Sequence, residues 1–507
     1  MRPRYDPASV RVGIVHLGLG NFHRAHQAVY VDDALAAGER DWAICGINLR
    51  RREPVDRLRA QDGLYTLLLR GGDGAEAWAG HVARTGDGTW AEPGSGTEPR
   101  SATGSETNPS AGANAARVIG ALREAIAYPV APQRAIARLA DPAVRIVTLT
   151  VTEKGYVDGD GGAIALLAEA LARRQAAGAG PLTLLSCDNL SRNGDTLRRV
   201  LRDAIEWRGD TRLLGEFDER VACPNTMVDR IVPATVARDL DEASAMTGLR
   251  DDCPVAAERF TQWVIEDRFA AGRPDWARDG VQFVRDVRPF EAMKLRLLNA
   301  AHSALACLGI PAGLATVDAA IAEPRLRAFV ERLWREDLVP TLPAEVREAS
   351  TGYRAALLAR FANDAIGHRL EQIAIDSSQK IAMRWLPPLR EQLAAGQMPD
   401  ALALALAAWI RFLDGRGERG QQWSIDDPLA DVLARRIATA TAGTAHAAGA
   451  AGTRAGPPAV DPIDARVDAV FGFEPLFEDL TGHAALRERV RFWHRRLVER
   501  GSLETLR

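Results

Sequence analysis

The chain has 507 residues, of which 47% are hydrophobic and 26% charged, with a formal net charge of −3. That length is well above the ~150 residues of a typical domain, and the balance is that of a globular protein with a proper core, so two domains are expected. The near-neutral charge gives no reason to expect nucleic acid or an anionic membrane as partner, and no apolar run approaches the ~20 residues needed to span a bilayer.

The first residues, Met1 to Asp6, lack an apolar signal stretch, and a cytoplasmic location is expected. The five cysteines (Cys45, Cys187, Cys223, Cys253 and Cys307) are scattered and never form a C-x-x-C pair. Neither a disulfide framework nor a zinc site is suggested, and no metal is expected. Lys and Arg total 64, yet the only lysines are Lys154, Lys294 and Lys380. Arg stays charged at any working pH whereas a desolvated Lys can lose its proton, so each lysine is a candidate site residue.

In chain order, residues 11–20 read as an apolar strand running into glycines, 21–38 as a helix, and Trp42 to Leu49 as a second strand. A strand, Gly-rich turn, helix, strand unit opens a doubly wound α/β sheet. Val144 to Val151 and Leu182 to Cys187 read as further strands, separated by helical patterns such as Ala163 to Ala176 and Asn193 to Trp207. Residues 92–115 (Gly, Ser, Thr, Glu, Pro) and 438–461 (Ala, Gly, Thr, Pro) read as flexible inserts. From about residue 290 the pattern is mostly helical. The division expected is a Rossmann-type dinucleotide-binding domain over 1–287 and a mostly α-helical substrate domain over 288–507.

Gly18-Leu-Gly20-Asn21-Phe22-His23 fits G-x-G-x-x-G except that His23 stands at the third glycine. The first two glycines permit a tight turn and close approach of backbone N–H groups to a pyrophosphate, and the helix start adds a favourable dipole. The plain alternative is a strand-to-helix turn. Arg24 and His26 either reach a phosphate or form the solvated face of the helix. No acid ends the second strand; Asn48 is placed to bond a ribose hydroxyl. Arg50, Arg51 and Arg52 suit a 2′-phosphate equally, leaving both NAD and NADP open.

Residues 297–308 are apolar nearly all round, which marks a buried helix. Taking Lys294 as zero at 100° per residue, His302 falls near ~80° and Asn299 near ~140°, so the three share one arc, with Ser303 just outside it. Buried amine, amide and imidazole groups need polar partners. Those partners are either a structural network or a substrate. Asp188-Asn189 closes the Leu182 strand at its carboxyl end, where open α/β sheets place ligands, and Asn225 and Asp229 form a further polar cluster.

Gly18-x-Gly20-x-Phe22-His23-Arg24-Ala25-His26-Gln27, Thr150-Val-Thr-Glu-Lys-Gly-Tyr156, Ser186-Cys-Asp-Asn189, Met227 to Ile231, Gln262 to Asp267 and Lys294-x4-Asn299-x2-His302 together resemble the mannitol dehydrogenase family, the polyol-specific long-chain dehydrogenases, over residues 11–480. The resemblance implies a Rossmann-type domain, a helical C-terminal domain with the active site between them, and a monomer. It also implies metal-independent hydride transfer between NAD(H) and a secondary alcohol or ketone.

Carried over, Lys294 is the general acid/base, a role that suits a lysine whose pKa is drawn down by burial. Asn189 and Asn299 offer N–H groups to the developing alkoxide, His302 orients substrate and Asp229 supports the site. The cofactor set is Gly18, Gly20, Asn21, Phe22, His23, Arg24 and Asn48.

Thr-Glu-Lys154-Gly-Tyr, Phe361-Ala-Asn363, His368-Arg369 and Ile375 to Lys380 are similar to the fructuronate reductase (mannonate oxidoreductase) branch, although Ser377 and Asp364 depart from that branch's usual Gly and Pro. A hexuronate carries a carboxylate that needs a cation, for which Lys154, Arg369 and Lys380 are the candidates. The expected partner is therefore a small sugar acid, D-fructuronate or D-mannonate. The alternatives are a polyol dehydrogenase acting on mannitol or arabinitol, and a non-catalytic dinucleotide-binding regulator.

Overall fold

A computed structural model describes residues 1–71, 114–156, 162–450 and 461–507, without the side chains of residues 153, 154 and 443–450. The chain forms two compact units, Met1–Glu291 and Ala292–Arg507.

The first unit is built on a six-stranded parallel sheet. Its strands are β1 (Val12–Leu17), β2 (Ala43–Asn48), β5 (Leu122–Ala127), β6 (Ile146–Leu149), β7 (Leu182–Ser186) and β8 (Val221–Ala222), in the order β5-β2-β1-β6-β7-β8. The strands are Val-, Ile- and Leu-rich and buried on both faces, as a parallel sheet covered by helices requires. The chain runs outward from β1 on one side, then returns to lay β6 on the other, so the strand order reverses between β1 and β6. Open α/β sheets bind ligands at the carboxyl end of such a reversal. Helices Pro132–Ala140, Ala163–Ala176 and Asn193–Trp207 connect the later strands.

Two three-stranded sheets complete the unit: β3 (Tyr65–Arg70) lies between β4 (Ala115–Ile119) and β10 (Val255–Glu258), and β11 (Gln262–Glu266) between β9 (Thr226–Asp229) and β12 (Gln282–Val284).

The expected helix over 21–38 is two helices, Asn21–Ala25 and Gln27–Ala36, broken at His26 (φ −126°, ψ −89°). The insert expected over 92–115 lies outside the described residues except at its end, where Ala115 opens β4.

The second unit is helical. Its central segment, Ala300–Gly309, is buried at every position, and Asp400–Phe412 packs nearly as deeply. The expected insert over 438–461 is corrected over its first half, because Ala430–Ala450 is one helix; alanine's low helical cost outweighs the scattered Gly and Thr. Residues 451–460 lie outside the described residues.

Candidate active site

In the first unit, the Gly-rich turn sits at the carboxyl end of β1, at the strand-order reversal. Gly18 has φ +95°, and a Cβ there would lie 2.1 Å from the Thr150 carbonyl oxygen beyond β6. Only glycine fits. Gly20 has an ordinary extended backbone, and a Cβ there would meet only the Gly18 carbonyl oxygen, at 3.7 Å. The space above Gly20 is open, which is the cradle that a pyrophosphate needs. The helix that follows starts with no side-chain cap, leaving its first N–H groups available.

Of the rest of the expected cofactor set, His23 and Arg24 turn inward, while Asn21, Phe22 and Asn48 are half-buried. His23 is fully buried, its ring stacked on His16 at 3.4 Å between centroids with the planes 10° apart. Where the common motif has a glycine for close helix–strand packing, this chain packs two imidazoles. Burial depresses both rings, His16 to about 3, so they stack neutral. His16 holds the turn: its Nε2 contacts the Gly18 carbonyl oxygen at 3.1 Å and Thr150 Oγ1 at 3.0 Å.

Arg24 is buried, donating to the Cys253 carbonyl and, at 2.7 Å, to Asn21 Oδ1. His26 is buried as well, against the Gln262 carbonyl at 2.9 Å. The solvated-face alternative for these two residues is therefore corrected: both side chains are buried and held by backbone carbonyls, and the partly exposed positions of this short helix are Asn21 and Phe22. Asn21 also donates to Thr235 Oγ1 at 2.9 Å, and Phe22 stacks on His26. Asn48 Oδ1 accepts the N–H groups of Arg50 and Arg51, both at 3.2 Å, and shapes the loop after β2. Arg52 is engaged with Asp56, while Arg50 and Arg51 are exposed.

At the end of β7, Asp188 pins the Thr150–Tyr156 loop. Its Oδ1 accepts the Thr152 N–H at 2.8 Å, and its Oδ2 accepts the Tyr156 hydroxyl at 2.8 Å. Thr152 is held at φ +62°, a conformation rare for a β-branched residue. The loop thus carries backbone strain at the segment bearing Lys154, whose side chain lies outside the described residues. Asn189 is exposed beside Asp188, and Asp229 is buried at the end of β9, paired in register with Gln262. Asn225 belongs to structure: it bridges Glu266 and Asp195.

In the second unit, Lys294–Asn299 is a π-helical segment entered from helix Arg288–Met293 and followed by helix Ala300–Gly309. The Ala300 N–H donates to the Leu295 carbonyl, five residues back. The uniform 100° spacing is therefore corrected here: one i→i+5 turn separates Lys294 from Asn299. Lys294, Asn299 and His302 are all buried, at 8%, 8% and 6% exposure.

His302 packs its ring on Phe361 (4.7 Å) and edge-on against His368 (5.4 Å), and among the described residues its Nε2 has no hydrogen-bond partner. Burial drives His302 well below its ordinary value, and the next strongest influences, His368, Arg384, Arg360 and Lys380, are all basic. Lys380 Nζ donates to the Ile373 carbonyl at 3.0 Å. Arg369, in contrast, is turned to solvent and paired with Glu371, beside an open cavity of about 450 Å³ that Gln372, Trp423 and Asp426 also line. His368 and Arg384 were not in the expected set; an arginine carries no signal in so Arg-rich a chain.

Residues 12–82 and 105–278 match the family model described as mannitol dehydrogenase Rossmann domain, and residues 286–450 match that described as mannitol dehydrogenase C-terminal domain. Among curated relatives, the chain is 35% identical to D-mannonate oxidoreductase of Escherichia coli, covering 84% of this chain and 85% of the relative. It is also 35% identical to polyol:NADP oxidoreductase of Gluconobacter oxydans, covering 86% and 87%. Among solved structures, Pseudomonas fluorescens mannitol 2-dehydrogenase in ternary complex with NAD and D-mannitol is similar at TM-score 0.80 and 30% identity, covering 99% of this chain and 95% of that one.

Proposed function

The chain belongs to the mannitol dehydrogenase family, and we propose that it is an NAD-dependent oxidoreductase interconverting D-fructuronate and D-mannonate. The coarser statement, an oxidoreductase acting on a CH–OH group with a nicotinamide dinucleotide, follows from the family and its relatives. The observation that carries the hexuronate is the charge around His302. Arg384, Arg360 and Lys380 are the cations among its electrostatic neighbours, an environment that favours an anionic ligand over a neutral polyol, while burial lowers the His368 ring to about 4 and keeps it neutral.

The residues present fit the dinucleotide: Gly18 closes the turn, Gly20 leaves the cradle open, and backbone N–H groups from Asn21 onward would face the pyrophosphate. The bound nicotinamide would exchange a hydride with the substrate carbon. In this reading Lys294 takes the hydroxyl proton during oxidation and returns it during reduction. Asn299 and Asn189 donate side-chain N–H groups to the oxygen as its negative charge grows. His302, neutral by burial, offers Nε2 to a substrate hydroxyl, and Asp229 supports the site. Lys380 or Lys154 meets the carboxylate. Arg24 and His23 brace the turn from beneath.

Turnover of mannonate, mannitol and arabinitol with NAD and with NADP tests this reading. Mannonate with NAD is expected to give the highest kcat/KM; a preference for mannitol or arabinitol replaces the hexuronate reading with that of a polyol dehydrogenase. Dinucleotide binding without turnover of any of them replaces both with a regulator.

A further inference from the structure

A π turn interrupts the regular ladder of a helix, and the carbonyl groups at its exit lose part of their usual pairing. Here three carbonyls in and just after the π segment accept side-chain donors. Trp334 Nε1 donates to the Leu297 carbonyl at 2.8 Å, Arg384 Nη1 to the Asn299 carbonyl at 3.1 Å, and Trp385 Nε1 to the Ala300 carbonyl at 3.2 Å. Both indoles are fully buried. Arg384 Nη1 also donates to Ser303 Oγ at 2.8 Å, so one guanidinium spans a helical turn from Asn299 to Ser303.

Arg384 has no salt bridge to an acid among the described residues, and burial draws it down to about 10. Desolvating a guanidinium without a carboxylate is costly, and many other arginines among the described residues, such as Arg52 and Arg134, are ion-paired at the surface. A methionine of similar length would fill the space without that cost, so the hydrogen bonds to the π segment are what the arginine supplies.

We propose that Arg384 is a positioning residue: it clamps the backbone at the exit of the Lys294–Asn299 π segment and thereby fixes the direction of the Asn299 side chain. The inference rests on the reading of Asn299 as the alkoxide donor and of Lys294 as acid/base. A donor displaced by ~1 Å costs catalysis on the order of 10²-fold without weakening ground-state binding. Because the loss falls on the hydride step, that step becomes more rate-limiting. A residue that merely stabilises the unit would lower melting temperature and yield, leaving the kinetic isotope effect and KM of the folded fraction unchanged.

The experiment compares full-length wild type, Arg384→Met, Arg384→Lys, Ser303→Ala and Lys294→Ala on the preferred substrate and its C-deuterated form. Arg384→Met is expected to lower kcat by about 10- to 100-fold with KM within about twofold and a larger primary isotope effect on kcat. Arg384→Lys, which keeps one donor, is expected to recover part of the loss. Ser303→Ala is expected to leave kcat within about threefold, because the bond to Asn299 persists. Folded Arg384→Met with wild-type kcat and isotope effect overturns the proposal while a dead Lys294→Ala leaves the reading of the site standing. An active Lys294→Ala overturns that reading itself. Should Arg384→Met fail to fold, Arg384→Lys with an unchanged isotope effect overturns the proposal.

Discussion

Lys294 is a buried amine at the start of a π turn, one of only three lysines in the chain. Removing a general acid/base typically costs 10²–10⁴-fold, so Lys294→Ala is expected to lose about that much kcat while retaining NADH affinity, read by nucleotide fluorescence titration. The truncation leaves a space where the ammonium stood. A small primary amine such as methylamine is expected to restore part of the activity in proportion to its concentration; absence of rescue together with wild-type kcat would remove the lysine from the chemistry. The scarcity of lysine made this residue a candidate in the sequence, and Asn299 and His302 joined it because polar groups stand out on an apolar helix; the structure buries all three. Arg384 stayed hidden. It lies 85 residues from Asn299 in a chain rich in arginine, and only the packing of helix Ser377–Arg384 beside Asn299 gives it meaning; His368, visible in the sequence only as part of a branch motif, takes its place through its ring contact with His302.

The turn after β1 separates two requirements that sequence motifs merge. Gly18 is demanded by the fold itself, through its positive φ and the nearby Thr150 carbonyl; Gly20 is demanded by neither. Gly18→Ala places a Cβ at a strained backbone angle worth ~1–3 kcal/mol and drives it into Thr150, so a clear drop in melting temperature is expected along with loss of NADH binding. Gly20→Ala is expected to keep the wild-type melting temperature, yet weaken NADH at least about tenfold because its methyl group stands in the pyrophosphate cradle. Calorimetry and fluorescence titration on the two variants read these outcomes separately. Equal NADH affinity in Gly20→Ala would place the dinucleotide elsewhere. Pattern reading located this strand-turn-helix correctly but ran one helix through His26 and a uniform α-helix through Lys294. Both irregularities are set by packing: His26 is held by the Gln262 carbonyl, and the exit of the π segment by three side-chain donors.

Over the whole molecule, the alternation of buried strands and amphipathic helices made the doubly wound first unit and the helical second unit legible. Strands β3 to β5 were not read from the sequence, and neither were β8 to β12, whose segments of two to five residues with inward-facing Thr226, Asp229, Gln262 and Glu266 offer too few positions for a period of two. Neither pattern nor motif reveals how the fold responds to pH, which depends on which acids are desolvated. Asp337 is one such acid. It lies buried in the second unit, with Oδ2 accepting the Leu402 N–H at 2.7 Å near the start of helix Asp400–Phe412. Burial, helped by the charges of Asp400 and Glu336, pushes its carboxyl up to about 6, against an ordinary 3.8. Between those two values the folded state keeps a proton that the unfolded chain releases. The stabilisation is therefore fully present below about pH 4 and is lost as pH rises through about 6, amounting to roughly 2–3 kcal/mol at most. Asp337→Asn keeps an acceptor for Leu402 but cannot ionise. Its melting temperature is expected to match wild type near pH 4.5 and to exceed it by several degrees at pH 7.5, since ~1 kcal/mol moves a domain of this size by ~2–4 °C. A constant gap at both pH values would show that Asp337 is already ionised in the native fold, leaving the acid-side stability of the second unit to other carboxylates.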